Sequence, residues 1–333
     1  MNERSAPAGA PAGNGMLVCV SHSPIIMIRS RPPAQEEDML DLYARCREEI
    51  RRFSPELVVV FGTDHYAGFH LNMMPPYCLG LAAEAVDDVG GFGGRLDVPA
   101  EVARDVAETL YDEGFDIAVS HRMTVDHGFS QPLHRLLGAL DALPTLPVFV
   151  NAMAPPLPRF GRTRRLGEVL GRGLGRLGKR ILFIGSGGLS HHPTRYYPAV
   201  GEAAPEVAAW QMEAERGGTW SRDEWFDRLR AMHVEGADML ADGRRTREDI
   251  RLNPGFDEAF MDMTRRLDFA ETDRWQAGPT IRQAGIGAME LQTWVAAAQA
   301  YKEMDGRAPH ASLYVPALEY GVGYGMAVAG GAR

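Results

Sequence analysis

Cysteine is scarce in this chain of 333 residues. Cys19, Cys46 and Cys78 are an odd number and form no Cys-x-x-Cys pair, which excludes a disulfide framework and a cysteine-built zinc site. Positive charge is also in deficit: 35 Lys and Arg face 44 Asp and Glu, for a formal net charge of −9. This balance argues against nucleic acid as a partner.

Long hydrophobic runs are missing as well. No stretch approaches the roughly 20 apolar residues of a membrane helix, so no membrane partner is expected. Residues 1–15 are rich in Ala, Pro and Gly and lack the apolar segment of a signal peptide, which predicts a disordered tail. The chain is 45% hydrophobic, so residues 16–333 can form a large core. We expect a cytoplasmic protein, and the length is compatible with one domain or with two.

Short apolar runs at 16–20, 57–61 and 181–184 are typical of buried strands, and each ends in a loop that carries histidine. The histidines of these loops are His22, His65 and the adjacent pair His191 and His192. Because ligands of α/β sheets bind at the carboxyl ends of the strands, histidines placed there are candidates for chemistry. Taken singly, each is equally well explained as a surface histidine in a loop.

The segments between these runs predict the fold class. Charged, periodic segments predict helices and further apolar runs predict strands: helices over 36–53, 100–113 and 161–177, strands over 117–119 and 146–151. The alternation is typical of an α/β fold with a largely parallel or mixed central sheet flanked by helices. Residues 72–96, rich in Pro and Gly, predict irregular structure or an edge hairpin, and 200–270 are expected to be mostly helical.

Two further residues are candidates for a site. His127 follows Asp126 in a loop beyond the strand predicted at 117–119. Glu290 lies in a helix predicted over 285–304, on a face that apolar neighbours mark as buried. A buried carboxylate must be paired, hydrogen-bonded or bound to metal. Stabilisation at a helix amino end, or a pair with Arg, is the alternative.

Two histidines and one carboxylate, with open positions on the metal, are the ligand set of non-haem Fe(II) oxygenases. His22, His65 and Glu290 can supply it. Zinc can use the same ligands, as in metallohydrolases. The residues alone therefore leave the metal open.

Seven segments, in order along the chain after residue 15, resemble the class III (LigB-type) extradiol ring-cleavage dioxygenases. They are SHSP (21–24), FSPELVVVFGTDHYAGF (53–69), MPPYCLG (74–80), VDHGFSQPL (125–133), LPVFVNAMAPPLP (146–158), KRILFIGSGGLSHHP (179–193) and MELQTWVAA (289–297). The chain is identified as a member of this family by their number and order. The resemblance implies one catalytic α/β domain over 16–333, a catechol and O2 as substrates, and a homo-oligomer.

The resemblance also implies roles for individual residues. It makes His22, His65 and Glu290 the ligands of Fe(II), and Mn(II) is compatible with the same set. It makes His127 and His191 the two catalytic histidines that do not bind the metal and that handle protons and oxygen. A zinc metallohydrolase and a non-catalytic binding protein of the same fold are the alternatives from other classes.

Within the family, the segments are most similar to enzymes that act on 3-(2,3-dihydroxyphenyl)propionate, whose product would be 2-hydroxy-6-oxonona-2,4-dienedioate. A propionate carboxylate needs a cation, and a chain of net charge −9 supplies no general attraction. Arg195 is the first candidate and Arg29 or Arg31 the second, with His192 in the same loop as Arg195. The loops at 26–31 and 194–197 differ from the family, so another 3-substituted catechol is the alternative substrate.

Overall fold

The computed structural model describes residues 13–28 and 31–331. The strands are β1 (Gly15–Val20), β2 (Leu57–Gly62), β3 (Tyr77–Gly80), β4 (Ala83–Ala85), β5 (Gly94–Arg95), β6 (Ala118–Ser120), β7 (Met123–Val125), β8 (Thr145–Val150), β9 (Ile181–Ser186), β10 (Ala311–Ala317) and β11 (Val322–Gly330). The α-helices are α1 (Pro24–Ile28), α2 (Glu36–Phe53), α3 (Ala100–Asp112), α4 (His127–Leu137), α5 (Phe160–Gly175), α6 (Pro205–Glu213), α7 (Arg222–Ala241), α8 (Pro254–Arg266), α9 (Ala277–Ala284) and α10 (Leu291–Lys302).

The main sheet is mixed, with a parallel centre. In the described part of the chain its order is β10-β11-β1-β9-β2-β8-β3-β6, and β5-β4-β7 form a small second sheet. Strands β1, β9, β2 and β8 are parallel to one another. On either side of them, β11 pairs with β1 and β3 pairs with β8 in antiparallel fashion. The predicted α/β fold, with a largely parallel or mixed sheet and flanking helices, is confirmed.

The central strands read as continuous apolar runs because helices cover both faces of the sheet. Side chains of β1 alternate between two core clusters: Leu17 and Cys19 pack with α5 and α10, and Met16, Val18 and Val20 pack with α2 and α4. Every residue of β1, β2, β8 and β9 is buried. The parallel strands therefore end together at one edge, between two layers of helix.

Helices α5 and α10 cross unusually closely. A Cβ atom on Gly167 would lie 2.3 Å from the carbonyl oxygen of Ala296, and one on Gly171 would lie 2.3 Å from that of Ala300. Glycine at these two positions allows α5 to approach α10 closely, while α10 packs against β9 and β1. The start of α10, where Glu290 lies, is thereby placed beneath the carboxyl ends of the central strands.

Helical segments beyond β9 cover that edge, as the sequence predicts for residues 200–270. The Trp210 and Trp225 rings stack with centroids 4.9 Å apart, and the indole N–H of Trp210 donates to the carbonyl of Tyr66. This packing forms a third apolar cluster over the loop that follows β2. Among the described residues, none of the helices is long and apolar enough to cross a membrane.

Several elements differ from the prediction. The segment 72–96 contributes β3 to the main sheet as well as the β4–β5 hairpin, because backbone pairing with β8 outweighs the Pro and Gly content of short strands. The strand that leads to His127 is β7, which was not predicted, and neither were β10 and β11. Of the predicted tail, residues 1–12 lie outside the described residues. Strand β1 begins at Gly15, one residue earlier than the predicted strand.

Candidate active site

The loops after β1, β2 and β9 bring histidines together at one edge of the sheet. Val20 pairs with Ser186 at the end of β1 and β9, and Phe61 pairs with Gly185 between β2 and β9. The His22 and His65 rings then meet edge to face, with centroids 5.5 Å apart. Both side chains are buried.

Glu290 is the carboxylate on which these histidines converge. Its Oε1 lies 3.4 Å from His65 Nε2, and its Oε2 lies 3.5 Å from His22 Nε2. His191 Nε2 is 3.8 Å from the same Oε1. The side chain is fully buried, as predicted, but it ends a 3-10 helix (Ile286–Glu290) that precedes α10 instead of lying inside one continuous helix.

The Nδ1 atoms of His22 and His65, which face away from Glu290, each have a hydrogen-bond partner. His22 Nδ1 lies 2.9 Å from the hydroxyl of Ser186, and His65 Nδ1 lies 2.9 Å from Asp126 Oδ2. Because a carboxylate only accepts, His65 donates its Nδ1 proton to Asp126, and its Nε2 is the ring nitrogen that faces the centre. This is the arrangement that proteins use to orient metal-binding histidines.

Asp126 serves two elements at once. Its Oδ1 accepts the N–H of Gly128 at 2.8 Å and so caps the amino end of α4. Its Oδ2 accepts the backbone N–H of His65 at 2.7 Å in addition to the imidazole. The local requirement for a helix cap and the orientation of His65 are thus met by one carboxylate.

His127 lies at the first position of α4, with its ring stacked on His65 at a centroid distance of 4.3 Å. Its Nδ1 is 2.5 Å from Asp88 Oδ2. Ligand atoms of His22, His65 and His127 also approach one another within 4.8 Å, as do those of Asp88, Asp126 and His127. In the second group, Asp88 and Asp126 already form hydrogen bonds with the imidazoles of His127 and His65.

His191 is held by close backbone packing. Its Nδ1 lies 3.1 Å from the carbonyl of Leu189, and a Cβ atom on Gly287 would lie 2.0 Å from its ring. The preceding Ser190 donates its hydroxyl to Asp257 at 2.6 Å and its N–H to the same carboxylate at 2.8 Å. The glycine loop that follows β9 therefore presents this imidazole in one orientation.

Burial and charge act in opposite directions across this cluster. Burial lowers the pKa of His22 to about 3 and that of His127 to about 4, and it lowers the pKa of His191. Burial also opposes the charged form of His65, but Asp126 and Glu290 outweigh it and raise its pKa well above the usual value. Burial opposes the carboxylate of Glu290, yet the histidines lower its pKa to about 2. Glu290 therefore stays ionised, facing a neutral His22 and a protonated His65.

Comparison with known proteins identifies the family of this chain. The family model described as the catalytic LigB subunit of aromatic ring-opening dioxygenase matches residues 16–323. The chain belongs to the LigB family. Curated relatives from Escherichia coli K12 and O157:H7, both named 2,3-dihydroxyphenylpropionate/2,3-dihydroxicinnamic acid 1,2-dioxygenase, are 41% identical over 312 residues, which cover 93% of this chain and 96% of theirs.

This LigB protein is an extradiol catechol dioxygenase, and a buried group of His and Asp side chains in it is able to hold a metal ion. Family membership decides against the zinc metallohydrolase and the non-catalytic binding protein. A solved structure of the uncharacterized protein JW3007 from Escherichia coli K12 covers 95% of this chain and 99% of its own, at 11% identity and a TM-score of 0.48. That likeness is too weak to add to the assignment.

One cavity of the LigB domain opens onto the cluster. It is lined by all four site histidines and by a set of residues from the following loops and helices, including His192, Pro193, Tyr196, Tyr197, His233, Arg245 and Ile250. His192 is half-buried, and burial together with Arg251 lowers its pKa to about 4. Of the three candidate arginines, Arg195 pairs with Glu235 and Arg31 donates to the carbonyl of Ala241, and neither lines the cavity. Arg29 lies outside the described residues.

The sequence reading missed several residues of the site. Asp88 comes from the segment 72–96, which carries no periodicity that marks a buried acid. Tyr197, His233 and Arg245 come from loops and helices far along the chain. A run of Asp before paired glycines, Asp87-Asp88-Val89-Gly90-Gly91, was the one local sign available, because glycine-rich loops often approach ligands closely.

Proposed function

We propose that this dioxygenase opens the ring of 3-(2,3-dihydroxyphenyl)propionate and forms 2-hydroxy-6-oxonona-2,4-dienedioate. The observation that carries the site assignment is Glu290, a fully buried carboxylate with one oxygen facing His65 Nε2 and the other facing His22 Nε2. The choice of substrate is supported by the names of the relatives at 41% identity. Another 3-substituted catechol is the alternative.

We assign Fe(II) to His22, His65 and Glu290. His22 Nε2 is buried and has no hydrogen-bond partner among the described residues, which is costly unless a cation occupies the space that it faces. Two imidazoles and one carboxylate suit Fe(II) and equally Mn(II). Two neutral ligands and one anion leave a divalent ion with a net charge of about +1, which favours an anionic catechol.

When bound, Fe(II) offers open positions for catechol and O2 and passes electron density between them. His191 accepts the proton of a catechol hydroxyl, because burial lowers its pKa and keeps the imidazole neutral at pH 7. His127 returns a proton as the ring opens. Asp88, whose pKa burial raises well above the usual value, holds the proton that His127 passes on.

The reaction balances without a further reductant. The bond between a hydroxyl-bearing ring carbon and its neighbour that bears the side chain breaks, and both atoms of O2 end in the product. One of them becomes a carboxylate oxygen and the other the new ketone oxygen. The proton removed at the start is returned, so the residues of the site act as catalysts only.

The metal content of variants tests the ligand set. His22→Ala, His65→Ala and Glu290→Gln should lose most bound iron, measured by atomic emission after anaerobic reconstitution. His127→Asn and His191→Asn should keep iron and lose ring opening by about 10²- to 10⁴-fold, because they move protons. Full iron content in Glu290→Gln would overturn the assignment, and so would loss of iron from His191→Asn.

A cytoplasmic homo-oligomer completes the proposal. Cys19, Cys46 and Cys78 are buried and free, as expected in a reducing compartment. Light scattering on the eluting protein counts subunits, and cell fractionation tests the location. A monomeric mass would contradict the proposed assembly without affecting the catalytic assignment.

A further inference from the structure

We propose that Arg245 binds the side-chain carboxylate of the substrate. The inference rests on the proposed function, because it assumes an anionic group on the catechol. Arg245 lines the same cavity as His22, His65, His127 and His191, although it lies 54 positions after the last of them in the chain. It is the arginine among the residues that line this cavity.

The turn after α7 explains why this arginine faces inwards. Helix α7 ends at Ala241, Gly243 follows with a φ of 81°, and the N–H of Arg245 donates back to the carbonyl of Met239 at 2.9 Å. The chain is thereby folded onto the end of its own helix. Arg244 instead pairs with Asp242 on the surface, where its side chain is 57% exposed.

The guanidinium of Arg245 lacks a carboxylate partner. It is 8% exposed, and its NH1 donates to the hydroxyl of Tyr196 at 3.0 Å. Within residues 13–28 and 31–331, no acidic oxygen lies within 4.0 Å of it. Arg245 contributes to the lowered pKa of Asp249. That carboxylate is exposed, however, and accepts hydrogen bonds from the backbone N–H and the hydroxyl of Thr246. A buried cation without an anion is costly, so its retention beside the cavity points to an anionic ligand.

Aromatic rings connect this cation to the histidine cluster. Tyr196 stacks on His233 at 3.8 Å, the His233 and Tyr197 centroids are 5.9 Å apart, and those of Tyr197 and His65 are 5.1 Å apart. Leu240 and Ile250 add apolar surface to the same cavity. A ligand with its hydroxyls at the histidines, an apolar middle and an anionic end matches this order of surfaces.

Arg195 is the rival reader of the side chain. Its NH2 is engaged by Glu235 of α7, and the pair is partly exposed to solvent. A guanidinium that already has a carboxylate gains less from a second one, since the existing pair must be given up or shared. The geometry therefore favours Arg245 as the residue that selects for the charged tail.

The experiment compares 3-(2,3-dihydroxyphenyl)propionate with the neutral 3-propylcatechol in wild type and Arg245→Met. The ratio of the two kcat/KM values should fall by about 10- to 150-fold in the variant, as expected for loss of a charge-assisted pair. Arg245→Lys should restore part of the ratio, because it retains the charge without the planar fork. Calorimetric binding of both ligands to the iron-loaded protein, with O2 excluded so that no turnover occurs, should show the same loss.

Arg244→Met is the matched control, since it removes the neighbouring surface arginine and should leave the ratio unchanged. If wild type prefers the acid and Arg245→Met retains that preference, the inference is overturned while the proposed substrate stands. If Arg195→Met removes the preference instead, the tail is read there. If wild type opens both catechols with equal efficiency, the proposed substrate itself fails. Should Arg245→Met misfold, judged by circular dichroism, Arg245→Lys and Arg245→Gln decide the outcome.

Discussion

The backbone N–H of Gly188 donates to Oε2 of Glu290 at 2.7 Å, so the glycine loop after β9 holds the carboxylate at the start of α10. A Cβ atom on the adjacent Gly187 would lie 2.7 Å from the Cβ of Glu290. Only a loop without side chains can approach this closely. With Oε2 held by this contact, Oε1 of Glu290 faces His65 Nε2 at 3.4 Å.

Gly287→Ala should disable His191 without removing the metal ligands. The new methyl group would lie 2.0 Å from His191 Cε1 and 2.3 Å from Nε2, so the ring must leave its position. Ring opening should fall by at least about 10²-fold, as for loss of a general base. Kinetics with reconstituted protein measure the effect.

The matched control is Gly278→Ala in α9, where a Cβ atom would meet the flexible end of Arg282 at 3.4 Å. It should keep full activity and gain roughly 0.5–1 kcal/mol in the free energy of unfolding, because alanine loses less backbone entropy in a helix. Equal activities of the two variants would contradict the close packing of His191.

Asp126→Asn should weaken metal binding while α4 remains capped. The amide oxygen can still accept from Gly128, but the strong acceptor for the Nδ1 proton of His65 is lost. Metal affinity should fall by about 10- to 100-fold, the usual cost of removing such a partner. Competition with a chelator of known affinity gives the value. Ser221→Ala, which removes the cap of α7, should cost roughly 1 kcal/mol in stability and leave metal affinity intact.

His233 should make stability depend on pH. Burial lowers its pKa to about 3 in the folded chain, whereas the unfolded value is about 6.5. The unfolded state therefore binds more protons below pH 6.5, and stability falls as pH falls from 6.5 towards 3, by up to about 1.4 kcal/mol per unit. In His233→Phe this component disappears, while the ring can still stack on Tyr196.

Urea unfolding at pH 7.5 and pH 5.5 tests this prediction. Between the two pH values, wild type should lose about 1.4 kcal/mol more than His233→Phe. His233→Phe also removes the 2.8 Å hydrogen bond from His233 Nδ1 to the carbonyl of Leu229. The difference in unfolding free energy between the two proteins at pH 7.5 includes the contribution of this hydrogen bond. Parallel pH dependences would show that folding does not lower the pKa of this imidazole.

Removal of the metal should destabilise the fold. A cation held by His22, His65 and Glu290 stabilises the native state by about 2.7 kcal/mol at a free concentration of 100 times Kd. Chelation should therefore lower Tm in wild type and in Arg244→Met. Glu290→Gln, which lacks the anionic ligand, should show no response to added Fe(II) or chelator; an undiminished response would place the metal elsewhere.

Local sequence patterns were sufficient for the fold class and for much of the site. The apolar runs at β1, β2 and β9 must be buried on both faces, and such strands lie parallel at the centre of an α/β sheet. Their carboxyl ends therefore meet, which is why His22, His65 and the loop of His191 could be grouped before any contact was known. Glu290 was recognisable because a charge interrupts an apolar helix face.

Long-range contacts decided the rest. Strand β11 pairs with β1 and β10 pairs with β11, and these contacts are distant in sequence, so no local periodicity predicts that the two strands close the sheet. Asp88 and Asp126 orient His127 and His65 from separate segments, because hydrogen bonds join atoms that only folding brings together. The sequence predicted that His22, His65, His191 and Glu290 would meet, and the fold brings these side chains together. Tertiary structure alone decided that Arg245 faces the cavity while Arg195 pairs with Glu235, because the direction of a loop side chain depends on the turn and the neighbours around it.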